Sequence, residues 1–495
     1  MNTHSKLRGL ASQPDAPSTP GHPTASSTAS RPARRGMGRV IAAGVVACLA
    51  LAAGISWGWF NRGVEVISSI DLDRTVGVAY FAPQRTSILP WENNGILAFV
   101  YDDGSYHMVG ADALNGAQPV WVEDTLFIPG DRHTRLITAA DGHAQADEQN
   151  APDDAAGLDM TAALNLPNGH FEAYSSGNGN VSMAVTSSGG TVANGDATGN
   201  TQVSYASGTL DGNDPGAVRQ LGYAACGDDV YALIYEPPSP NETGAVGTST
   251  LLRVAADGAV LESNGTAVQP GDTTHGDGTG TSIGELLMSD VGGSSDMTAL
   301  ASTAACDAGV FSILTAQSAG NGSGNDIAML SLDSWNTVTG RHATKALTGT
   351  DGSAFTLSNA DLPQATAAAG NIAHDGSLYW FTASRTLNRT ALSDGSTRVV
   401  SDAYAFGGTS ADRALATWFD AGRATAFSTT PGDAPHDSDA SRGDAELIAV
   451  DTSSGDTLGL LHVQGLDARV KQFNRTMALQ GFAANPSYRW PAHTS

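Results

Sequence analysis

The chain has 495 residues, only 15% of them charged, with 58 Gly, three Cys and a formal net charge of −25. That length admits one large domain or two to three small ones, and the Gly-rich, charge-poor composition fits short strands joined by turns. Residues 1–39 carry Lys6, Arg8, Arg31, Arg34, Arg35 and Arg39 against Asp15, a net +5 that leaves −30 on the remainder. So acidic a remainder repels nucleic acid and argues against a DNA- or RNA-binding role; it also keeps an exported protein soluble.

In chain order, residues 11–36 are rich in Pro, Ser, Thr and Ala without an apolar pattern, so 1–39 is expected to be a disordered basic tail. Val40 to Phe60 then runs for 21 residues without a charge. As a helix at about 1.5 Å per residue it spans roughly 30 Å, the thickness of a bilayer core. Arg34, Arg35 and Arg39 precede it, and Trp57 and Trp59 sit at its far end, where aromatic rings favour the membrane–water interface. The positive-inside rule puts the tail in the cytoplasm and everything after the span outside it. A signal-peptidase site at Ala50-Leu51-Ala52 and a lipobox at Val45-Val46-Ala47-Cys48 are the rival readings. The apolar run continues well past both cuts, so a retained single-pass anchor in the cell membrane is the expectation.

Residues 61–90 read as a juxtamembrane segment with a first strand, 91–480 as one exported domain and 481–495 as a tail. Past residue 90 no long amphipathic helix is evident. Short runs of Val, Ile, Leu and aromatics recur instead, bounded by Gly, Asp, Asn or Ser. Seven units begin near residues 95, 124, 170, 229, 309, 376 and 422; clear examples are VYALIYE after Asp228-Asp229 and SLYWFTA after Asp375-Gly376. Units of this size with several short strands predict an all-β fold, a β-propeller of seven or eight blades preceded by one transmembrane helix. Long spacings coincide with polar stretches at 237–249 and 262–285, which read as inserted loops gathered on one face. The first strand is expected to pair with the last blade and close the ring. A pair of β-sandwiches is the competing fold.

Cys226 and Cys306 occupy matching contexts, AACGDDV and AACDAGV. Outside the cytoplasm they can pair as a disulfide. Equally, they can be two small buried residues at equivalent positions of neighbouring repeats, too far apart to bridge.

The segment Ala449-Val450-Asp451-Thr452-Ser453-Ser454-Gly455 resembles the A-x-D-x-x-[ST]-G turn of quinoprotein-type (PQQ-like) propeller repeats. Gly110 to Trp121 resembles the same repeat with its terminal Trp and one extra residue, whereas after Asp451 that Trp is absent and Gly459 stands near its place. The resemblance implies the fold and does not imply a quinone cofactor. Ala373-His374-Asp375-Gly376-Ser377-Leu378-Tyr379-Trp380 resembles the S-x-D-x-G-x-x-W box of sialidase-type propellers at Asp375 and Trp380, with Ala373 and Ser377 replacing Ser and Gly. Such a box implies a structural turn.

Of the catalytic signatures, H-E-x-x-H, the P-loop and C-x-x-C do not occur. A glycosidase needs two carboxylates at a fixed separation, and 49 acidic residues in the exported part do not single out a pair. No cofactor is expected; calcium at Asp211-Gly212-Asn213-Asp214 is the one metal reading left open, without a complete D-x-[DN]-x-[DN]-G loop. The reading reached is a membrane-anchored extracytoplasmic propeller that binds or scaffolds a protein or cell-envelope ligand. The alternative is an envelope enzyme, a glycoside hydrolase or quinone-linked oxidoreductase with carboxylates at the propeller mouth.

Overall fold

A computed structural model describes residues 69–83, 94–112, 114–130, 133–140, 143–150, 159–167, 169–175, 180–187, 202–210, 219–236, 247–268, 273–275, 282–283, 285–293, 297–318, 327–363, 368–370, 372–403, 414–420, 422–429, 445–474 and 476–491. All of them lie in the second of two compact units, Gly58–Ser495. The span expected at 40–60, with Arg34, Arg35, Arg39, Trp57 and Trp59, lies outside the described residues. Among the described residues no helix is long and apolar enough to cross a membrane.

The strands pair into seven sheets, the blades of an all-β propeller. Strands are lettered A to D from the axis outward; A strands of successive blades approach one another and so mark the axis. Blade 1 consists of Met477–Ala484, Thr75–Pro83, Gly95–Tyr101 and Tyr106–Ala111. Blade 2 takes Val120–Val122, Thr125–Ile128, His133–Ala140 and His143–Asn150, and blade 3 Asp159–Leu166, Gly169–Ser175, Asn180–Ser187 and Gln202–Leu210. In blade 4 the order is Arg219–Cys226, Asp229–Glu236, Gly247–Ala256 and Ala259–Val260; in blade 5 it is Ala305–Asp307, Val310–Ser318, Ile327–Asn336 and His342–Ala346. Blade 6 holds Ala373–His374, Ser377–Phe381, Leu387–Ala391 and Thr397–Ser401, and blade 7 holds Ala414–Asp420, Arg423–Thr429, Ala445–Asp451 and Thr457–Val463.

The residues that make these elements also close them into a ring. Gly95–Tyr101, Gly169–Ser175 and Arg423–Thr429 are buried along their whole length. Both faces of a blade are therefore covered by its neighbours, and such strands read as continuous apolar runs instead of alternating ones. A lone four-stranded sheet has no such cover, which is why the blades stack. Between A and B, blades 2 to 7 each turn in two residues. At Asp375-Gly376 both φ angles are positive, 51° and 67°, the geometry of the tight primed turn that matches strand twist.

The seven units read from the sequence are the seven blades. The first of them, at Gly95, is strand C of blade 1, whereas the others begin at strand B. Ring closure also differs from expectation: the chain's last strand joins its first three, with Thr75–Pro83 hydrogen-bonded to both Gly95–Tyr101 and Met477–Ala484. The ring therefore begins at Thr75 and runs through Ala484. The 262–285 insert is in part edge structure: Thr273–His275 and Ser282–Ile283 add in parallel to strand D of blade 3, and Glu285–Gly293 adds to strand C of blade 4. One short helix, Leu466–Phe473, interrupts the all-β pattern, burying Leu466, Val470 and Phe473 with Asp467 in its first turn and Lys471 in its last. Two turns are too few for its apolar spacing to stand out in the sequence.

Candidate functional site

Because neighbouring strands within a blade are antiparallel, A–B and C–D turns leave one rim of the ring and B–C and D–A connections leave the other. The first rim is trim. The second carries nearly every long connection: 84–94, 237–246, 319–326 and 430–444 between B and C, and 261–304, 347–372 and 402–413 between D and A. The exception is 188–201, a C–D connection. Both inserts read from the sequence thus belong to the loop rim. The chain enters at the opposite rim, where Ile70 and Leu72 are buried and Arg74 pairs with Asp102 and Asp103 of a C–D turn.

Toward the axis, strand Ala368–Gly370 adds in parallel to the innermost strand of blade 7, with Ala369 opposite Trp418. It also lies against strand A of blade 3 across the ring. The chain itself thus occupies part of the centre.

At the loop end of blades 6 and 7, Arg385 has a positive φ of 71° and is 6% exposed. Its Nη1 donates to Glu446 Oε2 at 3.0 Å and Ser428 Oγ at 3.2 Å, and His462 Nδ1 stands 3.5 Å from Glu446 Oε1. Nearby, Asp361 Oδ1 accepts from the Ser384 amide at 2.7 Å. Between blades 2 and 3, alternation along one strand aims His170, Glu172 and Tyr174 at the same neighbour. Glu172 is 2% exposed and accepts from Tyr174 at 2.8 Å, with His170 Nε2 at 2.9 Å. Burial, then the Glu172 charge, pushes the Tyr174 phenol well above its usual range. The three side chains are buried, and the Thr134 hydroxyl of blade 2 reaches Glu172, so the cluster fastens two blades. On blade 5, burial drives the Asp333 carboxyl upward, but hydrogen bonds from His342, Thr344 and Thr315 outweigh it and hold it below the usual range.

Every carboxylate named in these clusters already has a partner. Among the described residues no group of three His, Cys, Asp or Glu is placed to hold a metal. The Asp211–Asp214 loop lies outside them.

The turn residues singled out in the sequence are structural. Asp451 Oδ1 accepts from the amides of Ser453 and Ser454 at 2.9 and 2.8 Å, and hydrogen bonds, above all from Ser453 Oγ, hold its carboxyl low. Gly455, with φ 80°, lets this turn meet the Val400 carbonyl of blade 6. Trp490 packs directly on Gly459, where a β-carbon would overlap its ring. Trp380 is buried with Nε1 donating to Thr390 Oγ1 at 3.0 Å. Cys226 and Cys306 are brought together at the A–B ends of blades 4 and 5, with Cα atoms 5.2 Å apart. The buried polar clusters escaped the sequence reading, because a single His or Glu within a strand carries no signal of what faces it.

These features define a seven-bladed β-propeller closed by its C-terminal strand, with a loop-bearing rim. No protein-family profile and no curated protein matches the chain. Among solved structures, it is similar to a mutant of Synechocystis ACO at 9% identity, over 82% of this chain and 95% of that one, with a TM-score of 0.40. Apo AztD from Citrobacter koseri aligns at 11% identity over 78% and 95%, with a TM-score of 0.33. The GH43 endo-arabinanase from Bacillus licheniformis aligns at 11% identity over 46% and 97%, with a TM-score of 0.16. Likeness at this level says nothing of activity, and the fold stands on the strand pairing itself.

Proposed function

We propose that this chain is a membrane-tethered, extracytoplasmic propeller that binds or scaffolds a protein or cell-envelope ligand through its loop rim. The observation that carries the reading is the asymmetry of the two rims: six two-residue A–B turns on one, long connections on the other. A ring that gathers most of its long connections on one rim is the arrangement binding surfaces use. The first described residues reach the ring at the trim rim, where Thr75 stands opposite Tyr101, and not at the loop rim. Oxidising export conditions agree with a paired Cys226 and Cys306.

The test is capture from envelope extract by the purified full chain, followed by mass spectrometry, with a second protein shortened in the 430–444 connection. One enriched partner, lost on shortening, is the expected result. Turnover of a polysaccharide by the purified protein, or a bound quinone chromophore, sinks the binding reading in favour of an envelope enzyme.

A further inference from the structure

The seven seams between blades are built differently, and the one between blades 4 and 5 stands apart. Ala224, Tyr231, Leu233 and Leu251 of blade 4 and Phe311, Ile313 and Trp335 of blade 5 form their own small core, separate from the other clusters. Near the axis the seam is tight: a β-carbon on Gly222 would sit 2.7 Å from Ala304 Cβ. Farther out it is uncovered. Ile327 and Met329, on the same face of their strand as Trp335, are 52% and 44% exposed. In both blades the outermost position is filled by two separate pieces, Ala259–Val260 with Glu285–Gly293, and His342–Ala346 with Thr356–Ser358. At the tight end stand Cys226 and Cys306, separated by 80 residues of chain and with Cα atoms 5.2 Å apart, inside the range a disulfide spans.

We propose that the Cys226–Cys306 pair is a redox-dependent fastening of this seam, closed on export and opened by a dithiol, so that reduction loosens blades 4 and 5 while the rest of the ring holds. The inference rests on the export reading for the compartment in which the bond closes. Closure proceeds by thiol–disulfide exchange with a disulfide acceptor. One cysteine thiolate attacks the acceptor disulfide and expels an acceptor thiolate. The second thiolate then attacks the cysteine sulfur of the mixed disulfide and expels the other. Two electrons and two protons pass to the acceptor, and a dithiol reductant returns them by the reverse path.

The experiment uses the full chain purified without reductant, with free thiols alkylated at lysis and linked peptides mapped by mass spectrometry. Hydrogen exchange is then followed with and without dithiothreitol. The expected result is a Cys226–Cys306 peptide, and exchange of the amides of 231–234 and 311–314 faster by at least about tenfold on reduction, with those of 427 and 482 unchanged. The C226S/C306S protein should show the reduced pattern without reductant; if it fails to fold, reduction of the native chain gives the same comparison. Thiols free at both positions after purification, or exchange unaltered by reduction, overturns the proposal. A linked peptide found only when alkylation at lysis is omitted, with the same exchange response to dithiothreitol, supports the device and sinks the export reading.

Discussion

The seam where the chain's two ends meet and the seam between blades 4 and 5 are held by opposite means. At the closing seam, Met477–Ala484 hydrogen-bonds along Thr75–Pro83, and Phe427 of blade 7 stacks on Phe482 with ring centroids 5.2 Å apart. A polar latch follows. Arg423, 8% exposed, pairs with Asp420 and donates to the carbonyls of Asn485 and Tyr488 at 3.0 and 3.2 Å, while the Asn485 amide donates to the Thr75 carbonyl at 2.9 Å. Trp490 over Gly459 ends the strap. This seam draws on the largest core cluster in the molecule. The seam between blades 4 and 5 has seven buried side chains of its own and two cysteines. The covalent candidate thus lies where the apolar core is smallest, not where the chain breaks. Loop-closure entropy grows only logarithmically with length, so distributed strand pairing suffices to join ends some four hundred residues apart.

Removing residues 477–495 breaks the comparison outright, because blade 1 loses its innermost strand. The shortened chain is expected to lose its cooperative unfolding transition, checked by calorimetry. The C226S/C306S chain comes next and should lose about 2–4 kcal/mol by urea unfolding under oxidising conditions. Dithiothreitol should lower the native chain by a similar amount and leave the variant unchanged. Arg423→Ala follows. Leaving the half-buried Asp420 carboxylate and two strap carbonyls without their donor should cost about 1–3 kcal/mol by urea unfolding.

Acid separates the two seams further. Hydrogen bonds within blade 5 outweigh burial and hold the Asp333 carboxyl below the usual carboxylate range, so its contribution is present above the unfolded value and is lost as pH falls through the folded one. Asp420 behaves oppositely: burial raises its pKa more than Arg423 lowers it, so its ionisation is a cost that falls away as pH drops. Acidification below about pH 4 should therefore weaken blade 5 before the closing seam. Asp333→Asn should flatten that acid limb at a cost of about 1–3 kcal/mol near neutrality. Hydrogen exchange of 311–314 against 427 and 482 reads both effects.

Much of this architecture could be read locally. The strands of blades 4 to 7 announced themselves by apolar runs that follow Asp-Asp, Ala-Gly or Asp-Gly, and those of blades 2 and 3 by weaker copies near Asp124 and Gly169-His170. A two-residue turn with positive φ is selected by the residues within it, as at Asp375-Gly376. Blade 1 was misphased because its strand A lies at the other end of the chain, leaving Gly95 as the first recognisable start. The helix at 466–473 was too short to register. His170, Glu172 and Arg385 gave no sign, since each has its partner on another strand or a neighbouring blade.

By itself the sequence determined the strand content, the number of repeats, the turn chemistry and the acidity of the second unit, because each depends on residues within a few positions of one another. Only the tertiary structure decided the rest. It paired Thr75–Pro83 with Met477–Ala484, set Trp490 on Gly459, and laid Ala368–Gly370 along blade 7. It also drew Cys226 and Cys306 together, since the innermost strands of adjacent blades converge near the axis and equivalent positions there come closest. These are contacts between surfaces, and a surface exists only once the ring has closed.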